Sequence, residues 1–383
     1  MDNQNAFLHL LENRRVIVCM GPGGVGKTTI SASLALQAAS MGRRVHCLTI
    51  DPSGRLAQAT GIDSWPEDGT VDLTERAASE VGIPSGGRLE LSMVKPAKIF
   101  DDIISRFAES ERDSGAVLSN PLYRHLFLNL PGMTDYMAME KIGELKADDS
   151  FDLIVIDTSP AAQTLEFFGA PRKMDGYFNG SATRLVARWN DYMEVKKKTR
   201  RYLGMAIKGL SLLAGRETFE MIMSLIDDCS ELFSFLNENA RMLEKQLRKE
   251  DVSCLLLTSP VPQRITEAMS VIEKTAQLEL NLDGYIFNRV HPPPPEEEPD
   301  IESLAGCIAE CGVNMDRASE LARKLLSLRD DRKNRVEKEQ RAISGMANAT
   351  GAADTPSVHI PMLELDVGDF RSLRTIAAYI TGK

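Results

Sequence analysis

The eight residues Gly21-Pro-Gly-Gly-Val-Gly-Lys27-Thr28 follow the spacing G-x-x-x-x-G-K-[ST], in which each residue type has a chemical use. Glycines let a loop turn its backbone N–H groups around an anion, with dihedrals and a close approach that a side chain would block. A helix opening directly after the loop points its positive end at the same anion. Lys27 is placed to reach the β and γ phosphates of a nucleotide, and the Thr28 hydroxyl to bind Mg2+. The spacing therefore points to ATP with Mg2+, held by Gly23, Gly24, Val25, Gly26, Lys27, Thr28 and Thr29. Two carboxylates join them, because Asp51 and Asp157 each follow an apolar run directly. Asp157 fits a magnesium-holding carboxylate acting through the metal's waters. Asp51 fits a residue that orients or deprotonates an attacking water, with a share in the metal site. An Asp at the end of a strand also serves as a turn or helix cap, and that second reading stays open for both.

The elements that must position these groups are legible around them. Arg15-Val-Ile-Val-Cys-Met20 reads as a buried central strand, and Thr28 to Met41 carries alanine, leucine and serine at helical spacing and stops at Gly42. Further strands are expected at Arg44–Ile50, Phe151–Ile156, Val252–Thr258, Gly284–Phe287 and Val358–Ile360, each separated from the next by helical sequence. Such alternation predicts an α/β fold, a P-loop NTPase with a mostly parallel central sheet flanked by helices. Residues 1–383 then form one ATPase domain. Two stretches, roughly 96–147 and 172–250, read as helices rich in Met, Leu and Phe and are expected to form an inserted helical subdomain. The run 291–300, containing four consecutive prolines and three glutamates, reads as an extended linker, and 315–346 as a charged, exposed helix.

Bulk composition narrows the class. With 43% hydrophobic and 26% charged residues the chain has the make-up of an ordinary soluble protein. A formal net charge of -10 argues against a protein that grips nucleic acid over its whole surface. Six cysteines scattered along 383 residues do not make a disulfide framework and suit a reducing compartment, so a cytoplasmic protein is expected. No secretory leader and no spanning apolar run are read, which leaves membrane association peripheral at most.

The ordered motifs resemble the ATPases of the bacterial arsenite pump and of tail-anchored-protein targeting, related to the MinD and ParA group, over nearly the whole chain. The pieces that carry the resemblance are Gly21–Thr29, Asp51-Pro52-Ser53, Pro131-Gly-Met133-Thr-Asp-Tyr-Met137, Asp157-Thr-Ser-Pro160-Ala-Ala-Gln-Thr164-Leu165, Phe287-Asn288-Arg-Val290 and Ile360-Pro361-Met-Leu. The resemblance implies a dimer with two facing nucleotide sites, Asp51 as the catalytic carboxylate, and Asn288 with Pro361 at the adenine. Asn288 also reads as a plain strand-end turn residue. A nucleotide-driven opening and closing of the dimer would reshape a surface built from the helical insertions.

Departures from that family bear on the partner. Pro22 stands where the family carries a lysine that reaches across the dimer, and Ser259 where the targeting ATPases have a glutamate. Both suit either weak turnover as a homodimer or a heterodimer with a paralogous ATPase that supplies the cation. Cys307 and Cys311 are spaced by three residues rather than the two of the targeting ATPases' zinc clip, and nothing marks the three-cysteine cluster of a metalloid site. Met193, Met205, Phe219, Met221, Met223 and Met242 fit an apolar groove for a hydrophobic protein client, or ordinary helix core. Lys196-Lys-Lys-Thr-Arg-Arg201 is a basic run suited to anionic lipid or to solvent, and His46 reads as a core or edge strand residue. A MinD- or ParA-like positioning ATPase fits less well. Those proteins lack long inserted helices, and Phe370–Ile380 reads as a packed terminal helix rather than a basic tail.

Overall fold

A computed structural model describes residues 3–110, 133–158, 235, 236, 238–295, 297, 299–350, 355–363 and 367–383, with the side chains of 108–110 left out. Its centre is an eight-stranded sheet in the order β3-β4-β2-β5-β1-β6-β7-β8. The strands are β1 (Val16–Met20), β2 (Arg44–Thr49), β3 (Thr70–Asp72), β4 (Arg88–Met93), β5 (Leu153–Asp157), β6 (Val252–Thr258), β7 (Leu282–Val290) and β8 (Ser357–Pro361). All neighbours are parallel except β3, which runs antiparallel to β4 at one edge. β1 lies in the middle, with Val16 paired to Ile154 on one side and to Val252 on the other.

Helices cover both faces because side chains alternate across each strand. Val16, Val18 and Met20 enter one apolar cluster, whereas Ile17 and Cys19 enter the other. The first cluster is closed by α5 (Pro96–Ser110), α6 (Met133–Ala147), α7 (Pro262–Gln277) and the helical residues 238–247. The second is closed by α1 (Asn3–Asn13), α2 (Lys27–Ser40), α3 (Arg55–Thr60), α4 (Thr74–Val81) and the C-terminal helix α10 (Phe370–Thr381). Each fully buried Val, Leu or Ile contributes about 1.5–3 kcal/mol. Continuous apolar strands such as β6, buried at all seven positions, are what two covered faces require.

The two strands that the sequence pattern does not announce are β3 and β4. β4 carries Arg88, Glu90 and Ser92 between its apolar residues, and those polar groups are used inside the sheet. His46 on β2 pairs in register with Glu90. Its Nε2 lies 2.6 Å from Ser92 Oγ and its Nδ1 lies 3.3 Å from Glu90 Oε1. His46 is accordingly a buried core residue.

Other expected elements shift by a residue or a few. The helix expected at Thr28–Met41 spans Lys27–Ser40, and the charged helix, α9 (Met315–Thr350), runs four residues beyond 346. A shorter helix, α8 (Ile301–Glu310), precedes it. The proline-rich stretch has no regular structure at 291–295 and lies along α9, where Arg329 donates to the carbonyls of Pro295 and Glu297 and Arg332 to that of Pro292. Of the helical stretches expected to form an inserted subdomain, α5 and α6 share their apolar cluster with strand residues such as Ile154 and Ile156. Residues 111–132 and 159–234 lie outside the described residues, and with them Pro131, most of the Asp157–Leu165 motif, the methionines from 193 to 223 and the basic run 196–201.

Candidate functional site

The site forms where open α/β sheets place ligands, beyond the carboxyl ends of the parallel strands. β1 ends at Met20 and the chain turns at once at Gly21, whose φ is 151°. A Cβ added there would sit 1.9 Å from the Leu257 carbonyl oxygen on β6, so no other residue fits. The loop closes at Gly26 with φ 94°, and a Cβ at that position would meet Asn288 Nδ2 at 2.5 Å. Gly26 caps α2 without any side-chain hydrogen bond, which leaves the first-turn N–H groups of α2 directed into the loop.

Lys27 is the first residue of α2 and is buried, with its Nζ donating to the carbonyls of Gly21 at 2.9 Å and Pro22 at 3.0 Å. The ammonium thus holds the loop on itself. Burial lowers its pKa below the usual lysine value, while the carboxylates of Asp157 and Asp51 pull it back up. Both carboxylates expected at the site are therefore within the field of this amine.

Asp157 ends β5 and is fully buried. Burial pushes its pKa up to about 6, against hydrogen bonds from Thr28 and Thr49 and the charge of Lys27, which lower it. Thr49 Oγ1 donates to Asp157 Oδ2 at 2.9 Å, whereas Oδ1 has no hydrogen-bond partner among the described residues. A buried, unpartnered carboxylate oxygen beside a threonine hydroxyl is a donor set that a hydrated Mg2+ would satisfy, since this ion prefers oxygen ligands and keeps several waters. Thr28 and Asp157 fit that ion. The carboxylate of Asp51 is engaged instead with protein groups. Its Oδ1 accepts the Ser53 N–H at 2.9 Å, which is the turn-capping arrangement, and its Oδ2 lies 3.8 Å from Arg55 Nη1.

These groups open onto a cleft of about 290 Å³ lined by Gly24, Gly26, Lys27, Thr28, Thr29, Asp51, Arg55, Gln58, Ala59, Thr158, Arg289 and Val367. Five expected site residues lie outside the lining. Gly23 is half-buried in the loop, Val25 is packed into the apolar core, and Asp157 is fully buried. Asn288 braces the loop, with its Nδ2 donating to the Val25 carbonyl at 2.8 Å and its Oδ1 accepting the Arg289 N–H at 2.9 Å. Pro361 ends β8 opposite Val290. Pro22 and Ser259 are both buried.

The sequence reading missed Thr49, Arg55, Gln58, Thr158, Arg289 and Val367. Arg289 carried the clearest signal after the fact. Among the described residues it is one of two non-glycine residues with positive φ, at 61°, a conformation that costs roughly 1–2 kcal/mol and turns its side chain toward the cleft. Cys307 and Cys311 are both exposed, and among the described residues no group of three or more His, Cys, Asp or Glu could hold a metal ion. No described helix is long and apolar enough to cross a membrane.

A family model described as an anion-transporting ATPase matches residues 14–305. Among curated proteins, ATPase get3 of Aspergillus terreus is 30% identical over 162 residues, covering 42% of this chain and 44% of that protein. ATPase GET3 of Malassezia globosa is 29% identical over 159 residues, 42% of this chain and 43% of its own. ATPase GET3 of Podospora anserina is 30% identical over 165 residues, with 42% and 44% covered. The chain thus matches less than half of the length of these relatives.

Proposed function

Because the chain belongs to the anion-transporting ATPase family, we propose that it binds Mg-ATP in the cleft above Gly21–Thr28 and hydrolyses it to ADP and phosphate. The observation that carries this reading is the convergence at one strand-end cleft of a glycine loop, a buried Lys27 and the half-satisfied Asp157. On nucleotide binding Lys27 exchanges the carbonyls of Gly21 and Pro22 for the β and γ phosphates, and the N–H groups of the loop and of α2 hold the remaining charge. Thr28 and Asp157 would hold Mg2+, which when bound neutralises charge on the β and γ phosphates. Asp51 orients the attacking water, a role that requires its Oδ2 to face the γ phosphate. Asn288 and Pro361 are the proposed adenine contacts.

The family resemblance extends the proposal to a dimer whose sites face each other and whose rearrangement handles a hydrophobic protein client. The stretches 96–147 and 172–250, whose sequence patterns predict helices, would supply the client surface. Pro22 in place of the family's lysine favours a second reading, in which this chain is the nucleotide-binding half of a heterodimer and turns over slowly alone. Steady-state ATP hydrolysis by the purified chain, alone and mixed with a lysine-bearing paralogue, separates the two, with Lys27→Ala and Asp51→Asn as controls. Turnover by the chain alone that both substitutions abolish supports a self-sufficient ATPase. Turnover confined to the mixture supports the heterodimer, and none in either condition refutes the catalytic reading.

A further inference from the structure

We propose that Arg55 is a catalytic residue of the same active site, a cation supplied within the chain that leaves Asp51 for the γ phosphate when ATP binds. The inference rests on the ATPase reading and adds to it the group that discriminates triphosphate from diphosphate.

Three observations carry it. First, Arg55 opens α3 directly after Gly54, whose φ of 72° turns the chain sharply behind Asp51. Arg55, Gln58 and Ala59 all line the cleft, and the spacing i, i+3, i+4 makes them one face of α3. Arg55 is thereby aimed into the cleft by its helix. Second, the pair that Arg55 makes with Asp51 is loose. Arg55 Nη1 lies 3.8 Å from Asp51 Oδ2, beyond hydrogen-bond distance, and the arginine side chain is 61% exposed. Pairs of this kind are worth about 0–1 kcal/mol, so a phosphate oxygen displaces Asp51 at little cost. Third, the place is the γ-phosphate end. Arg55 lines the same cleft as Lys27 and Thr28, and the Lys27 ammonium is the group expected to serve the β and γ phosphates.

The exchange has a second effect. Ser53 N–H keeps Asp51 Oδ1 in place, so withdrawal of Arg55 frees Oδ2 alone and in a fixed direction. The water oxygen then forms its bond to the γ phosphorus, and the bond from that phosphorus to the β,γ-bridging oxygen breaks, with its electron pair leaving on ADP. One water proton stays on the inorganic phosphate. The other passes through Asp51 Oδ2 to solvent. Arg55 faces the three equatorial oxygens on which negative charge spreads, where an arginine supplied to a nucleotide hydrolase is worth about 10³–10⁵ in turnover.

The test measures the affinities of fluorescent ATP and ADP for the full chain by titration, and single-turnover hydrolysis, in the wild type, Arg55→Ala, Arg55→Lys and Arg55→Ala combined with Asp51→Asn. The proposal expects Arg55→Ala to weaken ATP about tenfold while ADP changes less than about twofold, because only the γ phosphate is lost as a partner. Hydrolysis falls by at least a hundredfold, Arg55→Lys recovers part of the affinity but little of the rate, and ATP is weakened equally in the Asp51→Asn background. Equal loss of ATP and ADP affinity, unchanged hydrolysis, or no effect of Arg55→Ala once Asp51 is Asn would each overturn it. A wild-type chain that binds neither nucleotide would overturn the ATPase reading itself, an outcome the Arg55 variants alone cannot produce.

Discussion

Thr49 Oγ1 lies 2.9 Å from Asp157 Oδ2, and the same hydroxyl oxygen accepts the Asp51 N–H at 3.2 Å. One side chain at the end of β2 therefore ties both candidate carboxylates to each other, through the side chain of one and the backbone of the other. Neighbouring parallel strands make this contact available, since Thr49 and Asp157 are register partners.

Thr49→Val keeps the shape and removes the hydroxyl. A fully buried carboxylate oxygen then loses its donor, which costs about 1–3 kcal/mol. Urea denaturation should show that loss, and ATP turnover should fall roughly tenfold as Asp51 loses its backbone anchor. A variant that unfolds and hydrolyses like the wild type would mean that the hydroxyl positions neither carboxylate.

Gly21 and Gly306 should respond to alanine with opposite signs. At Gly21 the new Cβ would overlap the Leu257 carbonyl, whereas at Gly306, inside α8, it meets nothing within 4 Å. Gly21→Ala is expected to destabilise the fold by about 2–3 kcal/mol. Gly306→Ala should stabilise it by about 0.5–1 kcal/mol. Thermal melts of the two variants check the pair, and a neutral Gly21→Ala would refute the close approach of the loop to β6.

Asp157 gives a pH dependence with a definite sign. Burial raises its folded-state pKa from 3.8 to about 6, so its contribution to stability is present below about pH 4 and is lost as pH rises through about 6. In the metal-free, nucleotide-free protein, Asp157→Asn should be more stable than the wild type at pH 7.5 by about 1–3 kcal/mol. The difference should narrow by pH 5. A gap that widens as the pH falls contradicts the burial argument.

How much of this could be read from the sequence depended on whether a signal was local. β1, β5 and β6 are continuous apolar runs buried on both faces, and such runs are visible in the chain itself. β4 was hidden because its Glu90 and Ser92 meet His46 across the sheet, a pairing that the polar pattern of one strand cannot show. The same holds for the site. Lys27, Thr28, Asp51 and Asp157 were legible because each lies in or directly after a strand-end motif. Arg55, Gln58, Thr158, Arg289 and Val367 come from four separate stretches, and only the parallel order of the strands brings them to one cleft. Asn288 is expected at the adenine from the resemblance, whereas its Nδ2 donates to the Val25 carbonyl, a contact that depends on the fold placing β7 beyond β6, beside the loop.

The central claim is that the Gly21–Thr28 cleft holds the phosphates of Mg-ATP through Lys27, and titration of a fluorescent ATP analogue into the wild type and Lys27→Ala, with and without Mg2+, tests it most directly. The account predicts binding by the wild type that Mg2+ tightens and that Lys27→Ala weakens by about tenfold or more, the loss expected for a buried charge-assisted contact. Equal binding by the two proteins, or no binding by the wild type, would contradict it.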